Sequence, residues 1–246
     1  MFSKEKKEWF SDWFDSEYYH ILYKNRNDEE ASIFINALLE FLNPPPEAHF
    51  LDLACGKGRH SIYINSLGFN VTGLDLSNNS ISHALKNKSK SLNFFVHDMR
   101  EHFGNNKYDY ILNLFTSFGY FENEKDNEKV LFNVFGALKQ EGIFVIDFMN
   151  VKRVEKNLVA LEEKTINNIN YTIQRHVDYS FITKQIDIRD GNKEFIFIEK
   201  VQYLTNDKII NMLNHCGFKI KATFGSYQLQ SFDEQLSDRL IIVCQK

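Results

Sequence analysis

The stretch from Phe50 to His60 constrains the chain more than any other. An apolar run, Phe50-Leu51-Asp52-Leu53-Ala54, breaks into Cys55-Gly56-Lys57-Gly58 and starts a helix at Arg59-His60. A strand this apolar must be covered on both faces, and glycine lets backbone approach a ligand closely. The helix that follows presents free amides and a partial positive charge at the strand end. The same pattern of short apolar run, turn and helical stretch recurs down the chain. It is read at His49 to Ala54 with a helix from about Arg59, Phe69 to Asp75 with a helix after Ser77, and Phe94 to Asp98. It continues at Tyr108 to Phe115 with a helix from about Glu124, and at Gly142 to Phe148. This alternation predicts parallel strands joined by crossovers, a doubly wound α/β sheet whose ligands sit where the strand order reverses.

The three prolines stand together at Pro44, Pro45 and Pro46, where fixed φ angles and missing amides end any helix. Before them lie an aromatic stretch (Trp9 to Tyr23) and an amphipathic helix in which Ile33, Phe34, Ala37, Leu38 and Phe41 recur at helical spacing, capped by Asp28 or Asn27. From about Ile166 to Leu204 the period changes to two, with a hairpin signal at Asp190-Gly191-Asn192, which predicts an antiparallel insertion of three or four strands. A helix over Asp207 to Cys216 and strands at Gly217 to Gly225 and Arg239 to Gln245 would close the sheet, the last strand antiparallel. The expected units are a helical lid over 1–46, a cofactor domain over 47–150 and 206–246, and the β insertion over 151–205.

With 43% hydrophobic residues in 246, the chain can bury a sizeable core, and a formal charge of -4 gives no field to attract nucleic acid. Cys55, Cys216 and Cys244 lie too far apart for a zinc half-site or redox motif, so neither a metal nor a disulfide framework is expected. The charged start, Met1 to Glu8, and the lack of an apolar run of about 18 residues predict an unprocessed, cytoplasmic protein with no membrane contact. The expected assembly is a monomer or a homodimer.

Asp75 closes the run Val71-Thr72-Gly73-Leu74-Asp75, about 20 residues beyond the glycines, where an acid accepts from ribose hydroxyls. A dinucleotide fold would want a third glycine at 61; Ser61 stands there and counts against a nicotinamide-dependent oxidoreductase. Leu51 to Gly58, with Gly73-Leu74-Asp75-Leu76-Ser77 downstream, resembles the first two motifs of class I S-adenosylmethionine-dependent methyltransferases, over roughly Phe50 to Phe148. The resemblance implies a Rossmann-like methyltransferase sheet and S-adenosylmethionine as cofactor. It implies that Asp52, Ala54, Gly56 and Gly58 lie against the methionine part, Asp75 on the ribose, Leu76 beside the adenine, and Asp98 at the adenine amino group with Met99 following. Leu114 falls in the stretch after the fourth strand that lines the cavity between cofactor and acceptor.

That stretch, Asn113 to Tyr120, lacks the Asn/Asp-Pro-Pro-Tyr/Phe signature of amino-methylating nucleic-acid enzymes. The chain is more similar to the small-molecule branch, including glycine N-methyltransferase-like enzymes. On that likeness Arg26 is the candidate clamp for the cofactor carboxylate, since a guanidinium can make two parallel hydrogen bonds. His20, Tyr120 and His176 are the candidate bases for a small-molecule methyl acceptor, with Arg175 or His176 as insertion residues overhanging it. The competing reading is a non-catalytic module that binds the cofactor or its demethylated product and contacts a protein partner.

Overall fold

A computed structural model describes residues 8–24 and 28–246. The amino-terminal region forms α1 (Trp9–Phe14), α2 (Glu17–Leu22) and α3 (Asp28–Leu42). Past the prolines come β1 (His49–Leu53), α4 (Arg59–Ser66), β2 (Asn70–Asp75), α5 (Asn78–Ala84) and β3 (Leu92–Val96). Then follow β4 (Tyr108–Asn113), α6 (Glu124–Ala137), β5 (Leu138–Met149) and α7 (Val151–Lys156). Four strands, β6 (Leu161–Ile166), β7 (Ile169–Val177), β8 (Phe181–Asp190) and β9 (Lys193–Gln202), precede α8 (Asn206–His215), β10 (Lys219–Phe224) and β11 (Arg239–Gln245).

Seven strands form one sheet in the order β10-β11-β5-β4-β1-β2-β3, with only β11 running against the rest. The expected parallel sheet with one antiparallel strand is what forms. The continuous apolar runs are explained by helices on both faces. On β5, Phe144, Ile146 and Phe148 face the core under α6 and α8, whereas Val145 faces the one under α3, α4 and α5. The order reverses between β1 and β4, so their carboxyl ends open the crevice in which such folds bind ligands.

Three local expectations shift. The amphipathic helix buries Ala31, Phe34, Ile35 and Leu38, while Ile33 and Phe41 are exposed, so its apolar stripe is rotated from the one read in the sequence. The third strand begins at Leu92 and ends at Val96; it is the sheet edge, where Phe95 and Val96 are exposed, and His97-Asp98 already belong to the following loop. The insertion has four strands and starts at Leu161, not near Ile166. Its first strand carries Glu162-Glu163-Lys164 on a mostly exposed edge and shows no apolar alternation. Asn167 and Asn168, both at positive φ (51° and 63°), make the two-residue turn to β7.

The amino-terminal helices divide between two bodies. α3 packs on the seven-stranded sheet, whereas Trp13 of α1 and Tyr18 of α2 share a core with Tyr171, Ile173, Ile186 and Ile188 of the four-stranded sheet. The two short helices thereby tie the insertion to the crevice.

Candidate active site

The turn after β1 separates the two glycines by task. At Gly56, with φ +55°, an added Cβ would meet nothing within 4 Å, so its backbone is open to a ligand. At Gly58, with φ +83°, a Cβ would lie 2.7 Å from the Phe94 ring. Gly58 is not among the residues that border the crevice, and its lack of a side chain lets α4 start close against Phe94 of β3.

Asp75 reaches across from β2: its Oδ2 accepts from the Gly56 amide (2.8 Å) and its Oδ1 from the Ser77 amide (2.8 Å). Burial raises its pKa, and these amides pull back the other way. Each oxygen can still accept from a further donor. Behind the turn, Asp52 is fully buried and accepts from the Ser61 hydroxyl at 2.5 Å. Ser61 thus fills the place of a third glycine with a hydrogen bond to the motif acid. Burial pushes Asp52 up to about 6, Ser61 lowers it and the neighbouring Asp75 charge raises it again.

Asp52, Gly56 and Asp75 border a cavity of about 440 Å³ that also touches Ala54, Leu76, Asp98, Met99 and Leu114. Ala54, at φ +64°, turns the backbone around its floor. Asp98 is clamped by Arg100, whose guanidinium meets both its oxygens (2.6 to 3.1 Å) and reaches Glu8 at 2.7 Å. Burial would raise the Asp98 pKa, but Arg100 outweighs it and holds the carboxyl below its usual range. Lys24, Lys57 and Arg59 supply cations to the same cavity, a set not singled out by motif reading. Arg26 lies outside the described residues.

The short helices roof this cavity with Phe10, Phe14, Tyr19, His20 and Tyr23. Burial, with Lys57 close by, lowers the His20 pKa to about 4, so the imidazole is neutral at neutral pH and a weak base. The Tyr120 hydroxyl donates to the Thr116 carbonyl, so its proton is engaged. His176 is exposed on β7 and does not border this cavity, and Arg175 is paired with Glu162. Strand alternation sends the two to opposite faces, and neither reaches the crevice. The insertion instead contributes Lys184, Glu199 and Val201 to a second cavity of about 530 Å³. The two cavities share Phe14, Tyr19, Tyr23, Phe115 and Tyr120, so they meet across one aromatic strip.

The model of the family described as "Methyltransferase domain" matches residues 45–212. The chain belongs to this methyltransferase family. The protein YqeM of Bacillus subtilis (strain 168), named as a methyltransferase, is 38% identical over 212 residues, 82% of this chain and 85% of that protein. A glycine/sarcosine N-methyltransferase of Parasynechococcus marenigrum (strain WH8102) is 26% identical over 214 residues, 82% of this chain and 73% of its own. The fold is shared with a crystal structure of an S-adenosylmethionine-dependent methyltransferase from Clostridium acetobutylicum, with TM-score 0.78 at 20% identity, covering 93% of this chain and 95% of that one. The methyltransferase takes S-adenosylmethionine as its methyl donor, and the residues present suit it: an open glycine turn, a carboxylate from the neighbouring strand and cations near the turn. Among the described residues no cluster could hold a metal, and no helix is long and apolar enough to cross a membrane.

Proposed function

We propose that the methyltransferase passes the methyl group to a nitrogen of a small molecule seated in the second cavity. The observation that carries this is the aromatic strip common to both cavities, which sets the second cavity directly beside the one at the glycine turn. S-adenosylmethionine, when bound, supplies a methyl group on a sulfonium whose leaving group is a neutral thioether. What remains for the chain is alignment and exclusion of water.

In this reading Asp75 accepts from the ribose hydroxyls, Ala54 and Gly56 run along the methionine part with Asp52 behind, and Leu76 and Met99 cover the adenine near Asp98. Lys57 and Arg59, at the start of α4, face the cofactor carboxylate, and Leu114 closes the floor toward the acceptor. Phe14, Tyr19 and Tyr120 present ring faces to a cationic centre. Residues 47–150 and 206–246 act as the cofactor domain, and 151–205 as the acceptor wall. A nitrogen acceptor is supported by those faces and by relatives named as glycine/sarcosine N-methyltransferases.

Calorimetry with S-adenosylhomocysteine and with NAD, followed by mass-spectrometric detection of methyl transfer over a panel of amines, alcohols and thiols, tests the proposal. The expected result is tight binding of S-adenosylhomocysteine, none of NAD, and turnover confined to amines. Turnover only of alcohols or thiols, or binding with no turnover of any class, would reject it.

A further inference from the structure

The second cavity carries its own information about the acceptor. Every charged residue described on its border has a partner. Lys184 Nζ lies 2.6 Å from Glu199, Arg239 lies 2.7 Å from the fully buried Asp147, Asp238 pairs with Arg153 at 3.4 Å, and Glu30 is engaged as well. Among the described residues, then, no wall charge is left over to hold an ionic acceptor, and a cationic one would also face the positive sulfonium across the shared strip. The walls suit a ring instead. Trp9, Phe14, Tyr19 and Tyr120 form a connected set with ring centres 5.0 to 5.8 Å apart, and Phe115 stacks on Tyr227 at 5.1 Å with planes 27° apart. All six border the cavity, whose volume of about 530 Å³ lies in the range of pockets that bury drug-sized molecules, roughly 300–1,000 Å³. Such faces reward a flat ring by stacked and edge-on contact.

Methyl transfer to nitrogen needs the nitrogen lone pair. An alkyl amine holds a proton on it up to a pH of about 10, so at pH 7 fewer than about one molecule in a thousand is free to react. Among the described residues, none on this border suits removal of that proton. Lys184 is itself an ammonium paired with Glu199, a phenol keeps its own proton, and a carboxylate, with an ordinary pKa near 4, falls about six units short. Burial raises the Glu199 pKa, but Lys184, Tyr23 and Trp13 together outweigh it and bring it below its usual value. His20, across the strip and at about 4, is no stronger. An aromatic amine needs no such base, because its lone pair is delocalised into the ring and carries no proton at neutral pH.

We infer that the acceptor is an aromatic amine, its nitrogen bonded to a flat ring and uncharged at neutral pH, seated among the rings of the second cavity. The nitrogen lone pair forms the new N–C bond, and the electron pair of the breaking S–C bond stays on sulfur. The proton then released from nitrogen passes to water as the product leaves. The inference rests on the proposed function and names the class of its acceptor. It also departs from the relatives whose names specify glycine or sarcosine.

The test uses the full chain saturated with S-adenosylhomocysteine, so loss of cofactor binding, which would defeat the function itself, is read separately. Calorimetry at pH 7 compares 5-aminoindane with 5-(aminomethyl)indane, whose nitrogen stands one carbon off the aromatic ring, and with glycine and sarcosine. Expected is binding of 5-aminoindane at least tenfold tighter than that of any of the other three. With S-adenosylmethionine its kcat/KM should stay flat from pH 7 to 9, whereas that of an alkyl amine rises up to tenfold per unit as its proton is lost. Met149→Trp, which fills the second cavity from a position that does not border the first, should weaken 5-aminoindane binding at least tenfold and leave the S-adenosylhomocysteine Kd unchanged. Should Met149→Trp lose cofactor binding through misfolding, Gln228→Trp, on an exposed side chain of the same border, serves the same purpose. A preference for 5-aminoindane below tenfold, or methyl transfer confined to alkyl amines, overturns the inference and leaves transfer to nitrogen standing. So does the absence of 5-aminoindane binding in a protein that still binds S-adenosylhomocysteine, or binding that neither substitution weakens. Methyl transfer to alcohols or thiols alone would overturn both the inference and the function beneath it.

Discussion

Two successive non-glycine residues after β4, Phe115 and Thr116, hold φ near +60°, a conformation that costs a β-branched residue about 1–3 kcal/mol and persists only where its surroundings impose it. The imposing group is Asp147. Its Oδ2 accepts from the Phe115 amide at 2.8 Å, its carbonyl accepts from the Thr116 amide at 2.9 Å, and Arg239 bridges it to the Thr116 hydroxyl at 3.0 Å. Burial raises the Asp147 pKa and the Arg239 charge opposes that rise. Since Phe115 borders both cavities, Asp147 is a positioning residue for the aromatic strip between them. Asp147→Asn keeps the shape and removes the charge. It should lower kcat/KM for the acceptor at least tenfold, about 1.4 kcal/mol, while the S-adenosylhomocysteine Kd changes less than threefold. Steady-state kinetics beside calorimetry checks the split, and a parallel loss of both would assign Asp147 to general stability.

Asp75 and Asp52 give two more residue-scale outcomes. Asp75→Ala removes the carboxylate proposed to accept from the ribose and should weaken S-adenosylhomocysteine binding at least tenfold, which a calorimetric Kd in the folded variant measures. Asp52 titrates at about 6 before the cofactor binds. The cofactor brings an ammonium and a sulfonium, so it favours the ionised carboxylate. Its affinity should therefore be full above neutral pH and fall as pH drops through about 6, where the empty site takes up a proton. A pH series of Kd values for S-adenosylmethionine tests this, and a flat profile from pH 5 to 8 would show that Asp52 does not sense the ligand charge.

At the scale of elements, β2, β3 and the turn after β1 meet through Gly73. A Cβ there would sit 2.5 Å from Phe94 and 2.8 Å from the Cys55 sulfur, so the strand runs close beneath the motif turn only because the side chain is absent. Gly73→Ala should cost about 1–3 kcal/mol by overpacking, and Phe94→Leu in the same chain should return part of it. Chemical denaturation of the single and double variants measures the coupling. The legibility of the sequence follows the same locality. The glycine turn, Asp52, Asp75 and the β/α alternation are readable because each is set within a few residues by strand burial and turn chemistry. The edge strand β6 is not, since its side chains are exposed and charged and only Asn167-Asn168 marks its hairpin. The second cavity is likewise hidden. Its walls come from α1, α2, the loop after β4, the insertion and the approach to β11, and Asp147 meets Arg239 across 92 residues of chain.

For the molecule as a whole, the short helices decide access to the cofactor. Two polar latches tie them to the loops of the seven-stranded sheet: Arg100 with Glu8 at one side, and at the other Asp15, which accepts from Ser77 Oγ at 2.5 Å and from Asn79 Nδ2 at 2.7 Å. Between them Phe10 packs edge-on to Phe121 with ring centres 5.9 Å apart. The proposed cofactor site lies beneath this roof, so lifting the roof would widen the path for cofactor exchange. Each exposed or half-buried latch contributes on the order of 1 kcal/mol, too little to unfold the sheet but enough to shift a local opening equilibrium several-fold. Asp15→Ala should therefore raise the dissociation rate of S-adenosylhomocysteine about fivefold, leave the melting temperature nearly unchanged and speed amide exchange over residues 9–22. Both tryptophans of the chain, Trp9 and Trp13, lie in α1, so their fluorescence reports the roof directly in stopped flow. If release is unchanged while exchange over 9–22 accelerates, the cofactor leaves by another route and the short helices serve only the acceptor side.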